Sequence, residues 1–382
     1  MLMTEVPEPK AKGQRRLLAC DGGGIRGILS LEVLAELERK LRREYDDDDL
    51  VLSDYFDYFA GTSTGAMIAA GLALGWPVKE LMRIYVHKGP NMFATLPFWK
   101  RVQANFGHKF PSAKLAADMR DEYGADTLFG DAAMKSLLLT IVHNSSTDSP
   151  WPLSNNPQAK YNDLSAPDCN SKLPLWEVVR ASTAFPLIYP PEPISLGGRE
   201  FIFVDGALTP YNNPALQLYF MATVPEYRLE WDTGVDQMLL VSVGTGMSPQ
   251  LHPNLEEKDM SALHTLKTLM PTLLSGPVVQ QDMACRMLGK CIHGAQIDGE
   301  IGDLSEGADA DRKFSYVRYN AMLTEKGLKD LGLDHLTGKK TLKGVGNPMG
   351  MTWVPQLREI GRAVAKEVDM STYENFRGVR KS

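Results

Sequence analysis

The sequence holds no apolar run long enough to cross a bilayer. Its longest, Ala66–Trp76, falls well short of the roughly 20 residues that a membrane-spanning helix needs. Cysteine is sparse: Cys20, Cys169, Cys285 and Cys291 are spread through 382 residues with no C-x-x-C pair, which suits reduced thiols in a cytosolic protein. A metal held by Cys285 and Cys291 is the lesser reading, because small buried thiols are inert and need no ligand. A basic excess is also missing. The formal net charge is −6, so no broad positive field is present to gather nucleic acid. The first residues, M-L-M-T-E-V-P-E-P-K-A-K-G-Q-R-R, carry no apolar centre and do not read as a secretory leader. Their Pro, Glu and Lys content reads as a disordered lead-in over residues 1–14. The expectation is therefore a cytoplasmic protein, with peripheral contact at the inner face of a membrane left open.

What is present suits a folded α/β protein. Hydrophobic residues make up 43% and charged residues 23%, near globular averages, and the length admits one large domain or two smaller ones. Arg15–Cys20 reads as a buried strand ended by Asp21-Gly-Gly-Gly. A helix follows from Ile28 to Glu44, its apolar residues falling mostly three and four apart. Tyr55–Ala60 reads as a second strand, and a second helix starts at Ala66. This repeated strand, turn and helix predicts a mostly parallel central sheet in a three-layer α/β/α fold. The acidic run Asp46–Asp49 reads as a solvated connection.

Further along, residues 90–112 are rich in aromatics, Pro and Gly, and residues 144–174 form a long polar segment. Loops of such length are usually functional or mobile. The segment 175–189 predicts a helix stopped by Pro186. Glu200–Val204 and Gln237–Val243 predict two more strands, which run into Asp205-Gly206-Ala207 and Gly244-Thr-Gly246. Beyond 247 the signals are a helix over Ser261–Leu274 interrupted at Pro271, a strand over Phe314–Tyr319 and a helix over Gln356–Val368. No repeat or long linker divides the chain, so residues 247–382 are expected to form a mainly helical extension packed on the same domain as residues 15–246.

Three junctions carry the chemistry. Gly61-Thr62-Ser63-Thr64-Gly65 fits G-x-S-x-G between a strand and a helix, where a serine is held clear of its backbone on a strained turn. The bland alternative is a turn whose serine only caps the helix. A serine hydroxyl needs a base. None of His87, His108, His143, His252, His264, His293 and His335 closes a predicted strand beside a glycine turn, so a Ser-His-Asp triad is not supported. Asp205 is placed better, because it ends a strand and Gly206 lets the backbone turn away. The third junction is Asp21-Gly22-Gly23-Gly24-Ile25-Arg26-Gly27, whose consecutive amides can converge on an oxyanion. The same residues satisfy G-x-G-x-x-G, with Asp46–Asp49 about 20 residues on. Against a dinucleotide site, those acids precede the second strand instead of closing it, and Ser63 and Asp205 are left without a role.

Taken together, D-G-G-G-I-R-G at 21–27, G-T-S-T-G at 61–65 and D-G-A at 205–207 resemble the patatin-like phospholipase family in composition and order. The block Trp176–Pro191 and V-S-V-G-T-G at 241–246 resemble it too, so the likeness covers about residues 15–246. The resemblance implies a catalytic domain there, with Ser63 as nucleophile and Asp205 as base of a dyad. It also implies an oxyanion hole from Gly22, Gly23 and Gly24, supported by Arg26, Gly27, Gly61, Gly65 and Gly206. The implied reaction is lipid acyl hydrolysis through an acyl-serine, with no metal and no cofactor, on membrane phospholipid or another acyl lipid. A cyclic nucleotide activator, as in antiphage members, is a variant of that reading. A non-catalytic storage or binding protein on the same fold is the alternative. The apolar cluster Met92, Phe93, Leu96, Phe98, Trp99, Phe106 and Phe110, with Lys100, Arg101 and Lys109, is a candidate lid or interfacial patch, or else core beneath a loop.

Overall fold

The computed structural model describes residues 13–93, 112–186, 188–249, 262–304 and 311–377. The chain opens with strand β1 (Arg15–Cys20), helix α1 (Gly27–Tyr45), strand β2 (Tyr58–Thr62) and helix α2 (Thr64–Ala73). Helices α3 (Val78–His87) and α4 (Ser112–Tyr123) lead to the hairpin β3 (Leu137–Asn144) and β4 (Ser149–Ser154). Helix α5 (Leu175–Ser182) precedes a second hairpin, β5 (Glu192–Leu196) and β6 (Arg199–Asp205). Then come α6 (Ala215–Thr223), β7 (Met238–Val243), α7 (Ala262–Leu288), β8 (Lys290–His293) and β9 (Ser315–Tyr319). Helices α8 (Lys339–Val345) and α9 (Val354–Ala365) follow.

Among the described residues nine strands join one sheet of order β5-β6-β3-β2-β1-β7-β9-β8, with β4 attached to β3. The run from β3 to β8 is parallel, whereas β4, β5 and β6 pair antiparallel. Helices cover both faces, which is why β1, β2 and β7 are buried along their whole length instead of alternating between core and solvent. Leu18 and Cys20 of β1 pack into one core with α1, α2 and α9, while Leu17 and Ala19 face α6 in the other. This is the three-layer α/β/α arrangement that the alternating pattern predicts.

The differences from expectation have local causes. The strand expected at Tyr55–Ala60 begins at Tyr58, because Leu52–Tyr55 closes a short helical turn. The polar segment 144–174 conceals β4, whose two prolines mask a strand that needs few ladder donors at its position beside β3. Helix α5 stops at Ser182, ahead of Pro186. Helix α7 continues through Pro271 and Pro277 to Leu288, where an interruption at Pro271 was expected. The last third is less an appendage than a completion of the sheet: β9 pairs with β7 and β8 with β9, both in parallel, and α9 packs on α1. Met92 and Phe93 are buried. The rest of the candidate patch, Leu96, Phe98, Trp99, Lys100, Arg101, Phe106, Lys109 and Phe110, lies outside the described residues, as does most of the lead-in.

Candidate active site

Strand register brings Ser63 and Asp205 together. Strand β2 runs parallel to β3 and ends with Thr62 opposite Ile141. Strand β6 runs the other way and ends with Asp205 opposite Val142, the next residue of β3. Two strands thus approach each other along β3 and stop one residue apart. Asp205 reaches the serine because β6 is antiparallel, not because it shares the C-terminal edge of a parallel sheet as the sequence suggested.

At that meeting point the Ser63 hydroxyl donates to Asp205 Oδ2 at 2.6 Å. Ser63 has φ 55° and ψ −124°, a left-handed conformation that a side-chain-bearing residue holds only under constraint. The constraint is visible. The Ser63 N–H donates to Ser182 Oγ at 2.9 Å, and that hydroxyl donates to the Ile141 carbonyl at 2.7 Å. Gly65, at the start of α2, passes so close to β1 that a Cβ there would lie 2.1 Å from the Cys20 carbonyl oxygen. Gly61, across the turn, is pressed as tightly against Gly65. The N-terminus of α2 lies behind the serine, with its amide dipoles aimed at the turn.

Asp205 is 1% exposed. Burial raises its carboxyl from 3.8 to about 7, against the hydrogen bonds from Ser63 and the Ala207 amide and against the charge of Arg180, which all favour ionisation. The Ala207 N–H donates to Asp205 Oδ1 at 2.8 Å, so each carboxylate oxygen has its own donor. Gly206 is needed here because a Cβ would meet the Ile141 carbonyl oxygen at 2.2 Å. Arg180 is fully buried, packs over the Tyr189 ring and pairs with Glu192 at 3.7 Å.

The glycine loop after β1 forms the third wall. Its Asp21 is gripped by Arg318 of β9 in a bidentate pair, Nη1 to Oδ1 at 2.9 Å and Nη2 to Oδ2 at 2.5 Å, with both side chains buried. The Gly22 N–H, expected to face an oxyanion, donates instead to the Asn212 carbonyl at 3.0 Å. Ile25 N–H donates to the Pro348 carbonyl at 2.8 Å. Between them, the N–H groups of Gly23 and Gly24 have no acceptor among the described residues. Gly24 has φ +61°, and a Cβ there would fall 2.2 Å from the Pro348 carbonyl oxygen. Arg26 donates to the carbonyls of Gly246 at 3.0 Å and Gly23 at 3.3 Å, and burial lowers its pKa to about 10. Gly27 begins α1 against the Thr64 and Tyr85 side chains. The acids at Asp46–Asp49 lie past the far end of this 19-residue helix, about 28 Å from the loop by helix rise, too far to complete a dinucleotide fingerprint.

Ser63, Asp205 and the glycine loop open onto one cavity of about 1050 Å³. Its walls include Met67, Met92, Phe93, Leu115, Met119 and Val278, which make much of it apolar. None of the described histidine side chains lines it. His143, His293 and His335 face Asp148, Glu367 and Glu359 elsewhere, and His87 ends α3. His108, His252 and the His264 side chain lie outside the described residues. Cys285 and Cys291 are buried, and burial raises both thiols, the latter to about 11. Among the described residues no three His, Cys, Asp or Glu side chains gather where they could hold a metal ion.

The family model for patatin-like phospholipases matches residues 18–219, more than half of the chain. The chain belongs to the patatin-like phospholipase family. Among curated relatives, "Intracellular phospholipase A2" of Caenorhabditis elegans is 30% identical over 266 residues, covering 68% of this chain and 22% of that protein. The "cGAMP-activated phospholipase" of Escherichia coli is 28% identical, covering 65% of this chain and 67% of the relative. Patatin-T5 of Solanum tuberosum is 29% identical over 61% of each chain. The matched part is therefore about a fifth of the worm protein and about three fifths of the potato one. Other members of the site were not singled out in the sequence. Ser182 and Arg180 sit inside the patatin-like block 176–191 but carried no separable signal. Asn212, Arg318 and Pro348 lie in segments with no motif.

Proposed function

We propose that this patatin-like protein is a lipid acyl hydrolase that works through a Ser63–Asp205 dyad. One observation carries the reading: a strained serine, 2.6 Å from a buried aspartate, on the wall of a large, mainly apolar cavity. In this scheme the Ser63 oxygen attacks the acyl carbonyl as Asp205 takes its proton. The tetrahedral oxyanion is met by the N–H groups of Gly23 and Gly24. Gly22 acts as the brace of the loop, because its own N–H is engaged by Asn212. Asp205 then returns the proton to the leaving alcohol, and the acyl-serine is hydrolysed when Asp205 activates water. A carboxyl poised at about 7 is suited to both halves of that cycle.

Acyl lipids, phospholipids among them, fit the cavity's apolar walls and the names of the relatives. Relatives named as cGAMP-activated phospholipases in Escherichia coli and Vibrio cholerae favour a second layer, in which a cyclic nucleotide switches on the same hydrolase. Work at the inner face of a membrane suits both; no helix among the described residues is long and apolar enough to cross one. The test is hydrolysis of a short-chain nitrophenyl ester by wild type, Ser63→Ala and Asp205→Asn. Activity is expected in the first and near-background rates in the other two. Full activity in Ser63→Ala would remove the dyad, and inactivity throughout, with and without cyclic nucleotides, would favour a storage or binding role.

A further inference from the structure

The charges around the cavity are unevenly compensated. Asp21 is paired with Arg318, Asp205 is hydrogen-bonded by Ser63, and Glu325 is paired with Lys329 at 2.7 Å. Arg26 is committed to two carbonyl oxygens. Two other cations line the same cavity, Lys339 and Lys343 of α8, and neither makes an ion pair or side-chain hydrogen bond to any described residue. They are four residues apart, so they project from one face of the helix, with Leu342 between them also on the cavity wall. Both are exposed.

Their helix is fixed relative to the reacting groups. Gly344 of α8 packs against the Trp353 ring, and the following turn delivers the Pro348 carbonyl to the Ile25 N–H of the glycine loop at 2.8 Å. The cavity therefore offers an apolar wall of methionine, leucine and phenylalanine, the Ser63 hydroxyl, and two ammonium groups, without an ion-pair partner among the described residues, on a rim tied to the same loop.

We propose that Lys339 and Lys343 form a phosphodiester subsite, which makes an anionic glycerophospholipid, and not a neutral glyceride, the favoured substrate. This rests on the esterase reading of Ser63. A lipid bound with its acyl chain against Met67, Met92, Phe93 and Leu115 and its ester at Ser63 leaves its phosphate at the polar mouth. Two ammonium groups there supply charge-assisted donors that a monoacylglycerol cannot use. A cyclic dinucleotide carries the same phosphodiester chemistry, and the experiment separates the two sources.

The measurement compares kcat/KM for palmitoyl lysophosphatidylglycerol and for monopalmitoylglycerol, each in the same detergent micelles. Wild type is expected to prefer the phospholipid, and in Lys339→Gln/Lys343→Gln the ratio of the two values should fall about tenfold. Lys339→Arg/Lys343→Arg should keep it, and added salt should erode it in wild type alone. An unchanged ratio in the glutamine variant would overturn the subsite. Binding of cGAMP to wild type and to the glutamine variant is measured alongside. Loss of cGAMP binding with the lipid ratio intact would assign the lysines to a soluble nucleotide and overturn the lipid assignment. Should wild type hydrolyse neither lipid, the esterase reading fails separately. The subsite is then judged by calorimetric binding of dihexanoyl phosphatidylglycerol to Ser63→Ala, where loss of binding on adding the two glutamines supports it and no change overturns it.

Discussion

Asp205→Asn should disable the proposed hydrolase, and its stability relative to wild type should rise with pH. Burial raises the Asp205 carboxyl from 3.8 to about 7, so the folded state resists an ionisation that the unfolded chain permits. The sign follows from linkage: stability is fully present below the unfolded value and is lost as pH rises through the folded one. At about 1.4 kcal/mol per pH unit, the loss is about 2 kcal/mol at pH 5 and levels off near 4 kcal/mol by pH 8. The asparagine is neutral throughout and escapes this loss, whatever fixed cost its altered hydrogen bonds to Ser63 and Ala207 impose. The stability of the variant relative to wild type should therefore improve by about 2–3 kcal/mol between pH 5 and pH 8. For a chain of 382 residues that corresponds to about 3–4 °C in the Tm difference. Differential scanning calorimetry of the two proteins at both pH values provides the test. A Tm difference that stays constant from pH 5 to pH 8 would show that the carboxyl titrates near its ordinary value, and the reasoning about the buried base would fail. The wild type, on this account, gives up stability at working pH to keep a base in a dry site.

In the proposed mechanism the same carboxyl governs the rate. In a nitrophenyl ester assay, kcat/KM should fall about tenfold for each pH unit below about 7, because protonated Asp205 cannot accept the Ser63 proton, and a profile flat to pH 5 would contradict this. Arg318→Ala should cost about 3–5 kcal/mol in urea denaturation, since it leaves Asp21 buried without its partner. Arg318→Lys should recover only part of that, the two-pronged grip on the carboxylate being lost. Gly24→Ala should lower kcat by at least about a hundredfold with little change in KM, because a Cβ beside the Pro348 carbonyl at φ +61° displaces a loop whose amides are assigned to the oxyanion.

The sequence displayed the candidate site more fully than the scaffold around it. Ser63, Asp205 and the glycine loop each sit where an apolar strand gives way to glycine, and such junctions are legible because turn chemistry is local. The register that joins them is not local. Nothing in R-E-F-I-F-V-D says that β6 runs antiparallel to β3 and halts beside Thr62, one residue short of collision. Arg318 was invisible for a related reason: a lone arginine in a short strand reads as an exposed position until Asp21, almost three hundred residues earlier, is folded against it. Pro271 misled in the opposite sense, since helix α7 runs through it. The C-terminal third read as an extension because the family-like motifs stop at residue 246, yet its one legible strand, β9, carries the residue that anchors the glycine loop, and the turn after α8 braces the same loop from outside.

The central claim is that Ser63 becomes acylated with Asp205 as its base, and covalent labelling tests it most directly. Wild type, Ser63→Ala and Asp205→Asn would be exposed to a fluorophosphonate, followed by intact mass measurement and peptide mapping. A single adduct on Ser63 in the wild type is expected, with none in Ser63→Ala and a rate at least about a hundredfold slower in Asp205→Asn. An adduct on another residue, or an Asp205→Asn protein labelled as fast as wild type, would contradict the account.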